Sequence, residues 1–390
     1  MRDVAVIGGG PGGLVAAEQL AASGFRVAVF EEHQEIGCPV HCTGVLADEA
    51  LAELRLPVGS VLNPLSTVRF VGPGGASFAY TTPSVEAVVI DRHTFDAALS
   101  DQAVRAGAEL ERGRRVEQID TGPDGVTLTF AGGAVVRARA AILACGASYG
   151  IQRRLGMGMP HKFLQSAQLE VPADRLGDVE VHFGSEIAPR GFAWAVPVRR
   201  PTGTFARVGV MADSDAGLFF KRMVERLRDR WGLDVPEGAQ PRRRMLPLGS
   251  IRRTYADRLL AVGDAAGLVK PTTGGGIYYS IVSGRTAADV LGEKLATGDL
   301  GQASLREYER RWRARFQPEF AAQLALRALA ERLSDADIQT LFDLASTDGI
   351  LPLVRRTARF NRHRDFIMAL FKHGGARRVL FNRLASSAAR

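Results

Sequence analysis

The stretch from Asp3 to Glu32 constrains this chain more than any other. Val4 to Ile7 is a short, wholly apolar run, the pattern of a strand buried on both faces. It leads into Gly8-x-Gly10-x-x-Gly13, after which Leu14, Ala17, Leu20 and Ala21 recur at helical spacing. The alanines among them let a helix lie close on a sheet. Gly24 ends that helix, Arg26 to Phe30 reads as a second apolar strand, and Glu31 closes it. The spacing therefore predicts strand–turn–helix–strand, with an acid about twenty residues past the glycines.

The chemistry follows from the spacing. Gly8 permits a tight turn, Gly10 lets the backbone approach a pyrophosphate, and Gly13 lets helix and strand pack closely. The pyrophosphate is expected on the free N–H groups at the positive end of the helix. Glu31 is placed to accept hydrogen bonds from a ribose hydroxyl. Glycines at this spacing also occur in ordinary turns; strand, helix and acid in register point to a dinucleotide. An acid suits a free 2′-hydroxyl, so FAD or NAD fits better than NADP.

At 390 residues there is room for one large domain or two intertwined ones. No apolar run reaches the ~18 residues needed to span a bilayer, and the first strand starts at the N-terminus, so no signal peptide is expected. Cys38, Cys42 and Cys145 are too few for a disulfide framework, which makes a reducing, cytoplasmic setting the expectation. Cys38, His41 and Cys42 offer three close donors but no second Cys/His pair, so no metal site is expected.

The net charge of +8 is uneven: residues 301–390 carry 17 Lys plus Arg against 9 Asp plus Glu, and the rest is neutral. Phe366, Ile367, Leu370 and Phe371 share one helical face, flanked by Arg364, Lys372, Arg377 and Arg378. Two readings stand: a terminal helix docked on the core with its arginines outward, or a helix resting on an anionic membrane at the inner face of the cell membrane. No nucleic-acid motif accompanies the charge.

Further along, a loop carrying Gly37, Pro39 and Gly44 leads to a helix expected near Leu46. Ser66–Phe70 and Ala76–Tyr80 read as a hairpin, as do Val126–Phe130 and Ala134–Ala138. Ala140–Ala144 reads as a separate buried strand. Strands follow from about Lys162 to Val210, then a helix from Leu218 to Trp231, a strand ending at Asp264, and helices from Ser304.

Three separated stretches now agree. The opening unit is one. Leu259 to Gly267, LLAVGDAAG, resembles the second FAD fingerprint of the para-hydroxybenzoate hydroxylase-like flavoproteins. Pro271 to Ile277, PTTGGGI, is similar to the loop of the geranylgeranyl reductase family. Pro39-Val-His-Cys42-Thr-Gly44, Arg92 and Gly191 to Pro197 (GFAWAVP against the family's Y-x-W-x-F-P) match that family too. The resemblance covers about residues 1–300. It implies an α/β protein with a Rossmann-like FAD-binding domain (1–65, 88–160 and 250–300). An antiparallel β-sheet substrate domain (66–87 and 161–249) is inserted in it, and a helical basic C-terminal region (301–390) follows.

The resemblance implies FAD contacts from Gly12, Gly13, Glu31, Cys42, Thr43, Gly44, Arg92, Val116 through its backbone, Asp264, Gly275, Gly276 and Ile277. It implies reduction of an isoprenoid double bond, with Cys42 as candidate proton donor and Phe192 and Trp194 as walls of an apolar substrate pocket. Phe192 and Trp194 lie two apart on one strand face, which also suits ordinary packing. Where hydroxylases carry Asp-Gly, this chain has Cys145-Gly146, so the reductant is either transient NAD(P)H or a small electron carrier. An FAD monooxygenase of an aromatic or polyketide substrate, or a flavin electron-transfer protein, would use the same fold. Flavin halogenases share the W-x-x-P look but need an early lysine, and none precedes Lys162.

Overall fold

The computed structural model describes residues 1–347 and 349–387, with side chains to 381. The chain divides into two compact units, each built from three separate segments. Unit 1 comprises 1–40, 92–162 and 247–318; unit 2 comprises 41–91, 163–246 and 319–390.

Unit 1 opens with β1 (Arg2–Ile7), α1 (Pro11–Ala22) and β2 (Val27–Phe30). The chain then makes β3 (Val45–Ala47), α2 (Asp48–Glu53), β4 (Val61–Leu65), β5 (Thr67–Val71), β6 (Ser77–Thr81) and β7 (Ala87–Ile90) in unit 2. It returns to unit 1 for α3 (Arg92–Arg105), β8 (Glu109–Glu111), β9 (Val116–Gly122), β10 (Gly125–Phe130), β11 (Val135–Leu143) and α4 (Gly150–Arg154). Unit 2 continues with β12 (Phe163–Pro172), β13 (Val179–His182), β14 (Phe192–Arg200), β15 (Gly203–Ala212), α5 (Ala216–Trp231) and β16 (Arg242–Pro247). Then come β17 (Tyr255–Ala256), β18 (Leu259–Ala261), α6 (Ile277–Thr297) and α7 (Gln302–Ala330). Helices α8 (Asp335–Thr347), α9 (Ile350–Thr357), α10 (Arg364–Lys372) and α11 (Gly374–Ser387) finish the described chain.

The α/β architecture anticipated from the sequence is present. In unit 1 the sheet order is β17-β18-β11-β1-β2-β8, parallel from β18 to β8. Val4, Ala5 and Val6 have no exposed surface, as a strand covered on both faces requires. The two strands expected over Ala134–Ala144 are one: β11 runs unbroken, antiparallel to β10 at its start and parallel to β1. An alternating first half and a wholly apolar second half look like two strands because each half meets a different number of covering layers. The helix expected near Leu46 starts at Asp48, because Val45–Ala47 pairs with β7.

The seven-stranded sheet of unit 2 has the order β16-β12-β15-β14-β13-β5-β6. From β12 to β6 it is antiparallel except where β5 joins β13 in parallel. One face is packed by α5. Phe219, Phe220, Met223, Leu227 and Trp231, at helical spacing, cover Ala193, Ala195, Ala206, Val208 and Val210. In the C-terminal helices Ile367 is fully buried, and Leu370 packs on Ala345, Ile350 and Ala376. Phe366 and Phe371 are half-buried, while Arg364, Lys372, Arg377 and Arg378 point to solvent. The side chains of Arg383 and Arg390 lie outside the described residues. No helix among the described residues is long and apolar enough to cross a membrane.

Helix α1 crosses α6 at backbone contact. A Cβ on Gly284 would lie 2.2 Å from the Gly12 carbonyl oxygen, and one on Gly12 would lie 2.6 Å from that of Ser280. Gly284→Ala should therefore lower unfolding stability by about 1–3 kcal/mol, the usual penalty of overpacking. In urea unfolding, Gly374→Ala is the control, since a Cβ there meets nothing within 4 Å. Equal midpoints for both variants would refute the close crossing.

Candidate active site

In unit 1 the strand ends and helix starts gather most of the residues singled out from the sequence. Gly8 has φ +108°, and a Cβ on it would strike the Ala144 carbonyl oxygen at 2.4 Å. A Cβ on Gly13 would meet the Gly8 carbonyl oxygen at the same distance. At Gly10, the N-cap of α1, a Cβ would meet nothing within 4 Å, and no side chain caps the helix. The result is an open cradle at the positive end of α1, bordered by uncapped N–H groups.

Glu31 does more than the sequence suggested. Its Oε2 accepts from the Gly9 N–H at 2.7 Å, and Oε1 from the His33 backbone N–H at 2.9 Å and from His33 Nδ1 at 2.5 Å. The carboxylate thus fixes the glycine turn and retains acceptor capacity for one further donor. Val116, the first residue of β9, follows closely on Arg114, whose N–H donates to the Glu31 carbonyl.

Arg92 opens α3 and makes a two-pronged ion pair with buried Asp96, Nε to Oδ1 at 3.1 Å and Nη2 to Oδ2 at 2.6 Å. Burial pushes the Asp96 carboxyl up, and Arg92 opposes the shift. Asp264 lies on a 3₁₀ turn, Gly263–Ala266. Burial raises its carboxyl too, and the Arg92 charge pulls the other way. Two residues the sequence reading passed over anchor that turn: Tyr149 donates to the Asp264 carbonyl at 2.6 Å and Gln152 to that of Ala265 at 3.1 Å. Gly276 caps α6 beside Asp264; a Cβ there would lie 2.8 Å from Oδ1. Ile277 begins the helix. Gly275 lies against Lys270, a cation only 4% exposed that the sequence reading also missed.

Cys42, Thr43 and Gly44 belong to unit 2, where a buried arginine pins them. Arg207, 2% exposed, donates through Nη1 to the carbonyls of Thr43 (2.6 Å) and Ile90 (3.0 Å). Its Nε donates to Glu170 at 2.7 Å. Gly44, at φ +67°, has no room for a Cβ, which would lie 2.6 Å from Arg207 Nη1. Cys42 Sγ accepts from the Gly44 N–H at 3.3 Å, and Thr43 Oγ1 donates to Gln168 at 2.5 Å. Cys38 belongs to unit 1 and meets Glu35 and His93 there, their donor atoms within 4.8 Å of one another.

The register places the aromatic candidates on the same sheet face as this loop. Gln168, Gly209 and Trp194 lie in one row across β12, β15 and β14. Directly opposed residues of antiparallel strands share a face. Trp194 lies flat across Gly209, where a Cβ would come within 2.2 Å of the indole, and its Nε1 is buried with no partner. From Trp194 an aromatic track continues through Phe192, Phe183, Phe70, Phe78 and Phe342, with neighbouring centroids 5.2 to 6.5 Å apart.

A family model described as lycopene cyclase protein matches residues 3–346. Digeranylgeranylglycerophospholipid reductase 1 of Methanopyrus kandleri is 32% identical over 382 residues, covering 91% of this chain and 97% of that protein. The chain belongs to the geranylgeranyl reductase family of FAD-dependent oxidoreductases. A geranylgeranyl bacteriochlorophyll reductase-like protein of Thermoplasma acidophilum shares the fold at TM-score 0.83 and 23% identity, covering 99% of this chain and 98% of that one. The halogenase PltM, solved with phloroglucinol and FAD, shares it at TM-score 0.67 and 18% identity, covering 97% and 85%. Membership of this flavoprotein family accounts for the fingerprints at both ends of unit 1.

Arg207→Met should cost roughly 3 kcal/mol or more, because Glu170 and two carbonyls lose a buried donor. It should also change the rate at which Cys42 reacts with a thiol reagent. Burial pushes the Glu170 carboxyl up, but hydrogen bonds and charges from Arg200 and Arg207 more than offset it, holding it below 4.5. A depressed acid stabilises the fold above its unfolded value, and that contribution is lost as the pH falls through the folded value. Below pH 4.5 the wild type should thus lose stability more steeply than Arg207→Met. Parallel curves in acid titration of urea midpoints would refute this.

Proposed function

We propose that this protein reduces carbon–carbon double bonds in the isoprenoid chains of a glycerophospholipid, using FAD. The observation that carries the reading is the 32% identity, over 97% of that protein's length, to a relative named for digeranylgeranylglycerophospholipid reduction. The residues fit the cofactor. The open cradle at Gly10 and the uncapped start of α1 suit a pyrophosphate, which the Gly12 and Gly13 N–H groups would hold. Arg92, oriented by Asp96, would donate to a phosphate. Glu31 would accept from a ribose hydroxyl and Asp264 from the ribityl chain. The Val116 backbone would contact FAD near the Glu31 end, and the N–H groups from Gly275 to Ile277 would face the flavin ring. Bound and reduced, FAD supplies the hydride for one alkene carbon.

The chain's own task is the proton and the chain path. Cys42 Sγ would give its proton to the second alkene carbon, and the Gly44 N–H pointing at that sulfur stabilises the thiolate left behind. Water then restores the thiol. Trp194 and Phe192, with the track beyond them, offer an apolar surface to a polyprenyl chain. The two electrons come from NAD(P)H or a small carrier. Attachment to an anionic membrane would rest on the exposed basic residues of α9 to α11, because Ile367 and Leu370 are engaged in packing.

The test is chemical. Purified protein should release FAD on acid treatment. Once reduced, it should add two hydrogens per double bond to digeranylgeranylglycerophospholipid, read by mass spectrometry. An unchanged lipid mass would overturn the reading. Cys42→Ala should slow turnover by about 10²- to 10⁴-fold, the usual range for a lost acid. It should leave the flavin content intact, and Cys42→Ser should lie between. Full activity in Cys42→Ala would place the proton donor elsewhere.

A further inference from the structure

On the α5 face of the unit 2 sheet, opposite the aromatic track, lies a cavity of about 450 Å³. Alternation along the strands fixes its walls. Arg69 and Val71 of β5, Ser77 of β6 and His182 of β13 all point to this side, because Glu180 pairs with Arg69, His182 with Val71 and Val71 with Ser77. Arg226 and Arg230 reach in from α5, and the turn at Gly74 and Gly75 forms the rim. A Cβ at either glycine would meet open space.

The chemistry of this cavity is cationic. Three guanidiniums line it against one carboxylate, Glu186, which stands at 4.0 Å from Arg226. The Arg69 guanidinium has no partner among the described residues. Beneath the floor, Glu180 is engaged by three donors of its own: it accepts from His182 Nε2 at 2.7 Å, from Trp231 Nε1 at 3.2 Å and from Arg230. Burial pushes its carboxyl up, but these donors hold it below the usual carboxylate value. It is therefore a fixed anion already committed to its own donors. His182 is 1% exposed, and its other ring nitrogen, Nδ1, is buried with no partner. An imidazole oriented by a carboxylate, with one nitrogen left over, shares this cavity's wall with three arginines and is a polar group without a ligand.

We propose that this cavity binds a phosphate ester of a small hydroxylated molecule, the arginines taking the phosphate oxygens and His182 Nδ1 the hydroxyl. Arginine forks match phosphate geometry, and the volume exceeds that of a bare phosphate and falls within the range of small-ligand sites. The same chemistry has two sources, a free ester such as glycerol phosphate or the headgroup of a phospholipid. The inference stands apart from the flavin reading, since none of these residues has a part in it.

Calorimetric titration of the flavin-loaded protein with glycerol 1-phosphate tests it, with inorganic phosphate and neutral glycerol as comparisons. Glycerol 1-phosphate should bind, inorganic phosphate more weakly, and glycerol not at all. Arg69→Ala combined with Arg226→Ala should weaken binding about tenfold or more, the loss expected for charge-assisted hydrogen bonds. Both side chains reach solvent at the cavity, so the variant should keep its melting temperature and flavin spectrum. Short-chain phosphatidylglycerol below its micelle concentration separates the sources. Tighter binding than glycerol 1-phosphate assigns the site to a headgroup, and weaker binding to a soluble ester. Absence of binding at physiological salt, or equal affinity in wild type and double variant, would overturn the proposal.

Discussion

The close crossing of α1 and α6 is the constraint on which unit 1 depends. Backbone contact at Gly12 and Gly284 brings together two helix starts, one at Gly10 and one at Gly276. Each start presents N–H groups that no side chain satisfies, and two such ends side by side create a local positive potential without any charged residue. The half-buried acid at Asp264 and the ion-paired Arg92 then divide the remaining charge between them. An ordinary pair of side chains at the crossing would push the helix starts apart and dissolve that potential.

Unit 2 solves a different problem with a different device. A loop of small residues, Cys42 to Gly44, has little to hold it by packing, so a single guanidinium in the sheet holds it by hydrogen bonds. The same sheet separates two chemistries by the simple alternation of its strands. Trp194, Phe192 and the cysteine loop share one face, while His182, Arg69 and Glu180 share the other.

What was readable in advance follows the range of each interaction. The opening strand, glycines, helix and acid span some thirty consecutive residues and interact mostly with one another, so their pattern announces them. The PTTGGGI loop and LLAVGDAAG were legible for the same reason. Arg207 was not, because in TFARVGVM it looks like a solvent-facing residue of a strand, and its partners Thr43 and Ile90 lie far away in sequence. Gly209 and Gly284 gave no signal, since each is required by one partner, Trp194 or Gly12, that only the fold brings near. The unbroken β11 was misjudged because burial changes along its length while its backbone does not.

The interlaced segments have a consequence during synthesis. Helix α1 leaves the ribosome early, but the surface it needs, around Ser280 and Gly284, is not yet made. At usual translation rates of about 5–20 residues per second, that wait lasts on the order of tens of seconds. Throughout it, the alanine- and leucine-lined face of α1 and the outer edge of β11, which awaits β18, have no cover. The nascent chain therefore passes through a long period as an adhesive half-sheet, and its yield in a cell should depend on how well chaperones shield the first 160 residues until the last strand arrives.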